Sequence, residues 1–246
     1  MIRNNYHTHT VYCDGADTPE ELVLYAISEN CSEIGFSGHS YTNIEEDSPF
    51  CMTLRNTEVY KSEISRLKEK YKDKIKIYLG VEQDYYSSEK TDDYDYVIGA
   101  VHYVFKNGCY ISVDHTRETQ IEAVMAYYNN DFYAFAEDYY ELVGDLYNKT
   151  RCDIIAHFDL ITKFNEGNCL FDTNHPRYIK AADAALDKLF AANVKFEINY
   201  GAVARGYRTT PYPDERIIKR ITDSGKPIIY SSDCHKKEYL LFGIPE

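Results

Sequence analysis

The sequence predicts an α/β protein whose sheet is mostly parallel and whose helices lie outside it. Three observations carry that expectation. Short runs rich in β-branched and apolar residues recur at 2–9, 33–39, 74–81, 94–104, 153–158, 195–200 and 227–232. Helical patterns fall between most of them, and strand–helix alternation of this kind builds a parallel sheet. Ionisable residues close most of the runs, and parallel strands bring all their C-terminal ends to one face. Seven strand candidates approach, without matching, the eight of a regular barrel.

Each helix has a local reason. Thr18-Pro19-Glu20-Glu21 supplies an N-cap, a proline at the first helical position and acidic residues in the first turn. Leu22, Val23, Ala26 and Ile27 then give that helix an apolar face. Residues 56–72 and 116–148 read as further helices, the second interrupted near Asn129-Asn130. Asn174-His175-Pro176 opens a helix through residue 192, and 213–224 gives the last. No repeat, low-complexity tract or Gly/Ser linker divides the chain, so residues 1–246 are expected to form one domain.

Composition narrows the classes. A hydrophobic content of 44% with 27% charged residues is that of a globular protein, which argues against disorder. No basic segment precedes an apolar one near the start, and no apolar run approaches ~20 residues, so no membrane association is expected. Seven cysteines, an odd number without a C-x-x-C pair, suggest free thiols in a reducing cytoplasm. Asp and Glu outnumber Lys and Arg by 40 to 27, a net charge of −13, which argues against extended nucleic acid and anionic membranes. Tyrosine is abundant, 25 residues against no tryptophan, and is expected to serve amphipathic packing. Oligomeric state has no signature here.

The chemistry lies at the ends of the runs. The first ends in His7-Thr8-His9, and residues two apart on a strand project from one face, so both imidazoles can reach one metal. The second ends in His39, the third in Glu82; the fourth passes through His102, the fifth through His157, and the last leads into Asp233-Cys234-His235. Six of the eight histidines therefore stand at such ends. Desolvating that many ionisable groups together costs too much unless cations compensate, which predicts a metal cluster. Cys234, between two candidate ligands, should point to the opposite face of a strand and take no part.

His7-x-His9, Asp14-Gly15, His39, Glu82, His102, His157 and Asp233-x-His235 together resemble the polymerase-and-histidinol-phosphatase (PHP) family of metal-dependent phosphoesterases. The motifs span nearly the whole chain in the family's order. Gly99-Ala100-Val101-His102-Tyr103, Ile155-Ala156-His157-Phe158-Asp159, Glu197-Ile198-Asn199 and Pro211-Tyr212-Pro213 bring it nearest to the stand-alone histidinol-phosphatase branch. Gly38-His39-Ser40 departs from the commoner pattern, where Asp precedes the His, and Glu82-Gln83-Asp84 also departs, which puts tuning of the metals in doubt more than ligation.

The resemblance implies a distorted seven-stranded (β/α)7 TIM-like barrel with its active site at the C-terminal strand ends. It implies three divalent ions, which Zn, Mn or Fe would suit. His7, His9, Glu82 and Asp233 would hold one; Glu82, His102 and His157 the second, with Glu82 bridging; Asp14, His39 and His235 the third. The implied reaction is removal of phosphate from a small phosphorylated substrate, L-histidinol phosphate first among them, as a step of histidine biosynthesis. Clustered cations lower the pKa of a shared water, so hydroxide is expected to attack phosphorus with no covalent nucleophile on the protein. Glu82, Asp233 and His235 would be its catalytic residues, Asp233 or a metal-linked histidine protonating the leaving group.

Basic residues near the strand ends are expected to grip the phosphate: Lys163, Arg205 and Arg208. Asp17, Asp47 and Glu166 are loop carboxylates for the substrate's ammonium and imidazole, without ranking. His175, at a helix start, reads as structural. The same metal centre could serve another small phosphomonoester, a nucleotide or protein phosphotyrosine. A non-catalytic metal-binding module would be expected to lack part of the ligand set, whereas all nine positions are filled. Three ligand carboxylates with three divalent ions leave a site of about +3 in a molecule still near −7, so the overall charge does not exclude a small cationic pocket.

Overall fold

Thr18 caps the first helix, α1 (Pro19–Ser28), by accepting from the Glu21 amide, while the Glu21 carboxylate accepts from the Thr18 amide. The computed structural model that shows this describes residues 3–245. Strand β1 (Glu33–Phe36), helix α2 (Leu54–Tyr71), β2 (Lys76–Asp84) and β3 (Tyr96–Ala100) follow. An antiparallel hairpin, β4 (Tyr103–Lys106) and β5 (Cys109–Ser112), leads to α3 (Arg117–Tyr128) and α4 (Phe132–Thr150). The rest is β6 (Ile154–Ile155), α5 (Pro176–Phe190), β7 (Lys195–Asn199), the short α6 (Gly201–Ala204), α7 (Glu215–Asp223) and β8 (Ile228–Ser231).

The strands β1-β2-β3-β6-β7-β8 form one parallel sheet in that order, curled so that its C-terminal ends converge. Six regular parallel strands are present among the described residues, not the expected seven. The run at 2–9, whose first residue lies outside the described residues, is extended but not a ladder strand. Its Thr8 makes only an isolated parallel bridge to Cys234. Side chains take the place of the missing ladder partners: the His7 amide donates to Asn5 Oδ1 and the Thr8 amide to Ser37 Oγ. Backbone bonds from Gly35 to Asn5 and from Cys234 to His7 still tie this segment to β1 and to the chain beyond β8.

One other boundary differs from the expectation. The run at 94–104 divides at Val101-His102 into β3 and the hairpin strand β4, and β4 turns back onto β5 through Asn107 and Gly108, both at positive φ (50° and 85°). Asn-Gly is the strongest short hairpin signal, and it was legible in the sequence. The long helical pattern breaks where expected, with Asn129 and Asn130 both in the left-handed region.

The core lies between sheet and helices, and tyrosine builds much of it. Tyr60, Tyr139, Tyr140 and Tyr178 are fully buried. Each hydroxyl finds a partner: Tyr60 donates to the Gly80 carbonyl, Tyr139 to that of Phe158, and Tyr140 and Tyr178 bond to each other. A second cluster, Tyr96 with Ile98, Ala100, Ile154 and Ala156, fills the concave side of the sheet. The Tyr96 ring sits where a Cβ on Gly80 would fall, 2.3 Å from the added atom, so that position must be glycine.

Candidate metal centre

The parallel strands deliver their terminal side chains to one floor. His39 follows β1 and makes an isolated parallel bridge with Glu82 of β2. His102 follows β3, His157 follows β6, and Asp233 and His235 follow β8. His7 and His9 come from the irregular first segment, and Asp14 from the turn after it. All nine predicted donors are brought together.

Glu82 is the centre of the group. Its Oε2 lies 3.0 Å from His39 Nδ1, 3.2 Å from His7 Nε2 and 3.6 Å from His9 Nε2. Its Oε1 lies 3.0 Å from His157 Nε2 and 3.5 Å from His102 Nε2. Asp233 Oδ1 approaches His9 Nε2 at 3.1 Å and His235 Nδ1 at 3.4 Å. Asp14 reaches His235 Nε2 at 3.1 Å, His9 Nδ1 at 3.5 Å and His39 Nε2 at 3.7 Å. Three donor sets are each close enough to surround one ion: His7, His9 and Asp233; His39, Glu82 and His102; and His9, Asp14, His39 and His235.

These residues fit divalent ions. Ligands ~2.0–2.2 Å from a tetrahedral ion stand roughly 3.3 Å apart, the spacing seen here. Four buried donor atoms, Nε2 of His7 and His9, Oδ1 of Asp14 and Oε2 of Glu82, make these close approaches without the angles of a hydrogen bond. Each orphaned buried atom costs about 1–3 kcal/mol, and four converging on one place are what bound cations would satisfy. The carboxylates are held ionised for that purpose. Burial works to raise Glu82, but His39, His7 and His102 hold it well below the carboxylate range. Burial works the same way on Asp233, and Arg205 and His7 outweigh it. For His39 burial lowers the pKa, yet Glu82 and Asp14 push it up to about 10.

A supporting shell fixes the imidazoles. Glu197, fully buried on β7, takes His7 Nδ1 at 2.7 Å, the His157 amide at 3.0 Å and the Asn199 amide group at 2.8 Å. Its bond to His7 leaves Nε2 turned to the site. Asp84, two residues beyond Glu82, accepts from the His102 amide and lies 3.3 Å from His102 Nδ1. Asp84 is itself steered by Ser40, whose hydroxyl accepts from the Asp84 amide. Ser40 and Asp84, which belong to the two departing motifs, thus bear on the orientation of His102. In the sequence Glu197 is marked by its motif and by being a lone carboxylate between Phe196 and Ile198, in a strand too apolar to leave a charge unpartnered.

Asp233 holds a left-handed backbone (φ 47°), rare for a non-glycine residue. Gly201 packs against it so tightly that an added Cβ would stand 2.6 Å from the Asp233 Cβ. Cys234, as expected, turns away: its thiol is buried in the main core and donates to the Lys236 carbonyl. Burial pushes that thiol's pKa far up.

Above the donors opens a cavity of about 390 Å³. Arg205 lines it, donating to the Asp233 carbonyl and to Asp233 Oδ2, both at 3.3 Å. Lys163 also lines it, with its ammonium engaged by Asp114 through the carbonyl at 2.8 Å and Oδ2 at 3.1 Å. Arg208 corrects an expectation. It does not line this cavity; its guanidinium donates to Thr162 and lies 4.6 Å over the Tyr212 ring. Of the loop carboxylates, only Asp47 reaches the cavity. Asp17 pairs with Lys237 and Glu166 accepts from Thr209, both elsewhere. His115, outside the motifs, lines the cavity edge-on to Phe50. His175 caps α5 and stacks on Tyr133, a structural role.

No helix among the described residues is long and apolar enough to cross a membrane. A probable histidinol-phosphatase of Schizosaccharomyces pombe is 26% identical over 240 residues, covering 88% of this chain and 74% of that protein. A candidate histidinol phosphatase of Listeria monocytogenes shares the fold at a TM-score of 0.85 and 21% identity, over 98% of both chains. The histidinol phosphate phosphatase of Lactococcus lactis, solved with zinc, L-histidinol and phosphate, superposes at 0.64 with 20% identity, over 96% of this chain and 87% of that one. The family model described as the PHP domain matches residues 5–201, the stretch that carries seven of the nine converging donors and the strands that aim them. The chain belongs to the PHP domain family.

Proposed function

We propose that this chain is a metal-dependent phosphomonoesterase that hydrolyses L-histidinol phosphate to L-histidinol and phosphate. The observation that carries the reading is the convergence of nine donors, four with unpartnered buried atoms, on the floor of a cavity sized for a small molecule. The likeness to proteins named histidinol-phosphatase supports the substrate.

His7, His9, Glu82 and Asp233 would hold one ion, Glu82, His102 and His157 a second, and Asp14, His39 and His235 a third. The donor sets overlap more than that division, with His9 close to the third and His39 to the second. Bound divalent ions would draw charge from the phosphoryl oxygens and make water a better nucleophile. The chain's own residues do the rest. Arg205, fixed against Asp233, presents a guanidinium to the phosphate. Lys163, tied to Asp114, adds positive potential at the rim rather than a free grip. Asp233, which lines the cavity beside Arg205, would take a proton from the attacking water and return it to the leaving alkoxide. His235, in contact with both Asp14 and Asp233, holds that arrangement in register.

We read residues 1–246 as one domain of the distorted barrel type, its irregular first segment standing where a seventh strand would lie. Seven unpaired cysteines favour a cytoplasmic setting, and a net charge of −13 disfavours extended nucleic acid. The deciding experiment assays the metal-loaded protein on L-histidinol phosphate beside a panel of small phosphomonoesters, nucleotides and phosphotyrosine. Highest kcat/KM on histidinol phosphate is expected. Activity confined to other esters would reject the substrate and leave the family unaffected.

A further inference from the structure

Resting on that substrate reading, we infer that Asp47 is a specificity-determining residue that pairs with the ammonium group of the substrate. Asp47 ends a short 3-10 turn (Glu45–Asp47) and is only 8% exposed, yet it lines the same cavity as the metal donors. Its carboxylate has neutral partners: Oδ2 accepts from the Thr42 hydroxyl at 2.6 Å and Oδ1 from the Tyr103 hydroxyl at 3.1 Å. Among the described residues, no Lys, Arg or His nitrogen lies within 4.0 Å of it. The other acidic residue of this wall, Asp114, already has Lys163.

A carboxylate this buried is costly unless a cation meets it. Two hydroxyls fix its direction but use only part of its acceptor capacity, since a carboxylate offers about four lone-pair sites. The cavity is the open side, so the missing cation is one that arrives with the ligand. The loop is anchored to the catalytic floor, because the Met52 amide donates to the His39 carbonyl. Phe50 and His115, in edge-to-face contact at 5.7 Å, give the same cavity a flat wall against which an aromatic ring can lie. A phosphomonoester with an ammonium beside its leaving alcohol and a ring beyond matches this sequence of surfaces.

The test compares two esters of nearly equal size, L-histidinol phosphate and its des-amino analogue, imidazolylpropyl phosphate. Wild type should prefer the aminated ester, and Asp47→Asn should lower kcat/KM for it by about 10- to 100-fold while leaving the analogue within about twofold. Equal losses on both esters would make Asp47 a staple of its loop and overturn the assignment. Activity on the analogue shows in the same preparation that the variant is folded and metal-loaded. Should the variant not fold, the wild type decides: indifference to the amine overturns the assignment. If wild type cleaves neither ester but hydrolyses other phosphomonoesters, the substrate reading fails. The same Asp47→Asn comparison on phosphoethanolamine and propyl phosphate then decides Asp47 separately.

Discussion

His7 Nδ1 lies 2.7 Å from Oε1 of Glu197, a residue 190 positions away in the chain. Both are buried, so the pair commits His7 to presenting Nε2 to the metal centre. Glu197→Gln is expected to weaken retention of the ion bound by His7 about 10- to 100-fold, as outer partners of ligating histidines usually do. Metal content after dialysis against graded chelator reads this out directly. Unchanged retention would show that Glu197 serves the fold alone.

Glu82 stands within 3.6 Å of five imidazoles on its two oxygens: those of His7, His9, His39, His102 and His157. Glu82→Gln should therefore disturb more than one ion and lower turnover by at least about 100-fold. Cys234→Ser, buried in the core and pointing away, should leave kcat within a few-fold while lowering stability by about 1 kcal/mol. Comparable activity in the two variants would contradict the donor geometry.

Arg205 and Arg208 should separate cleanly. Arg205→Ala is expected to raise KM and lower kcat, because it loses both the cavity guanidinium and a brace on Asp233. Arg208→Ala should leave kinetics nearly intact and cost roughly 1–3 kcal/mol of stability through its lost buried bonds. Steady-state kinetics beside thermal melts distinguish the two.

Gly201→Ala places a methyl group against Asp233. The expected result is loss of metal and activity out of proportion to any change in Tm, because the neighbour that must shift is a donor held in a strained backbone. A variant with normal metal content and kcat would mean that Asp233 can yield without leaving its position.

Chelation should destabilise the protein, because four buried donor atoms would then lack partners. Differential scanning fluorimetry should show Tm recovering as Zn, Mn or Fe is restored, in a concentration-dependent way. A Tm indifferent to metal would argue against ions bound at this floor.

Much of this was legible in the residues. Strand–helix alternation specified a parallel sheet, and a parallel sheet sends its C-terminal ends to one face, so His39, Glu82, His102, His157, Asp233 and His235 could be grouped without coordinates. Capping chemistry placed α1, and the Asn129-Asn130 break divided α3 from α4. Tertiary structure alone decided the rest. The first segment lost its ladder where side chains claimed its amides, that of His7 by nearby Asn5 and that of Thr8 by Ser37, 29 positions away. Glu197 became the anchor of His7 and His157, Arg208 turned into the wall, and Asp47 was singled out from three equivalent loop carboxylates. Periodicity and local capping are properties of neighbours along the chain, and they can be read from order. Which buried charge meets which partner depends on loops that cross 28 or 190 positions, and only the folded chain brings those atoms within hydrogen-bond distance.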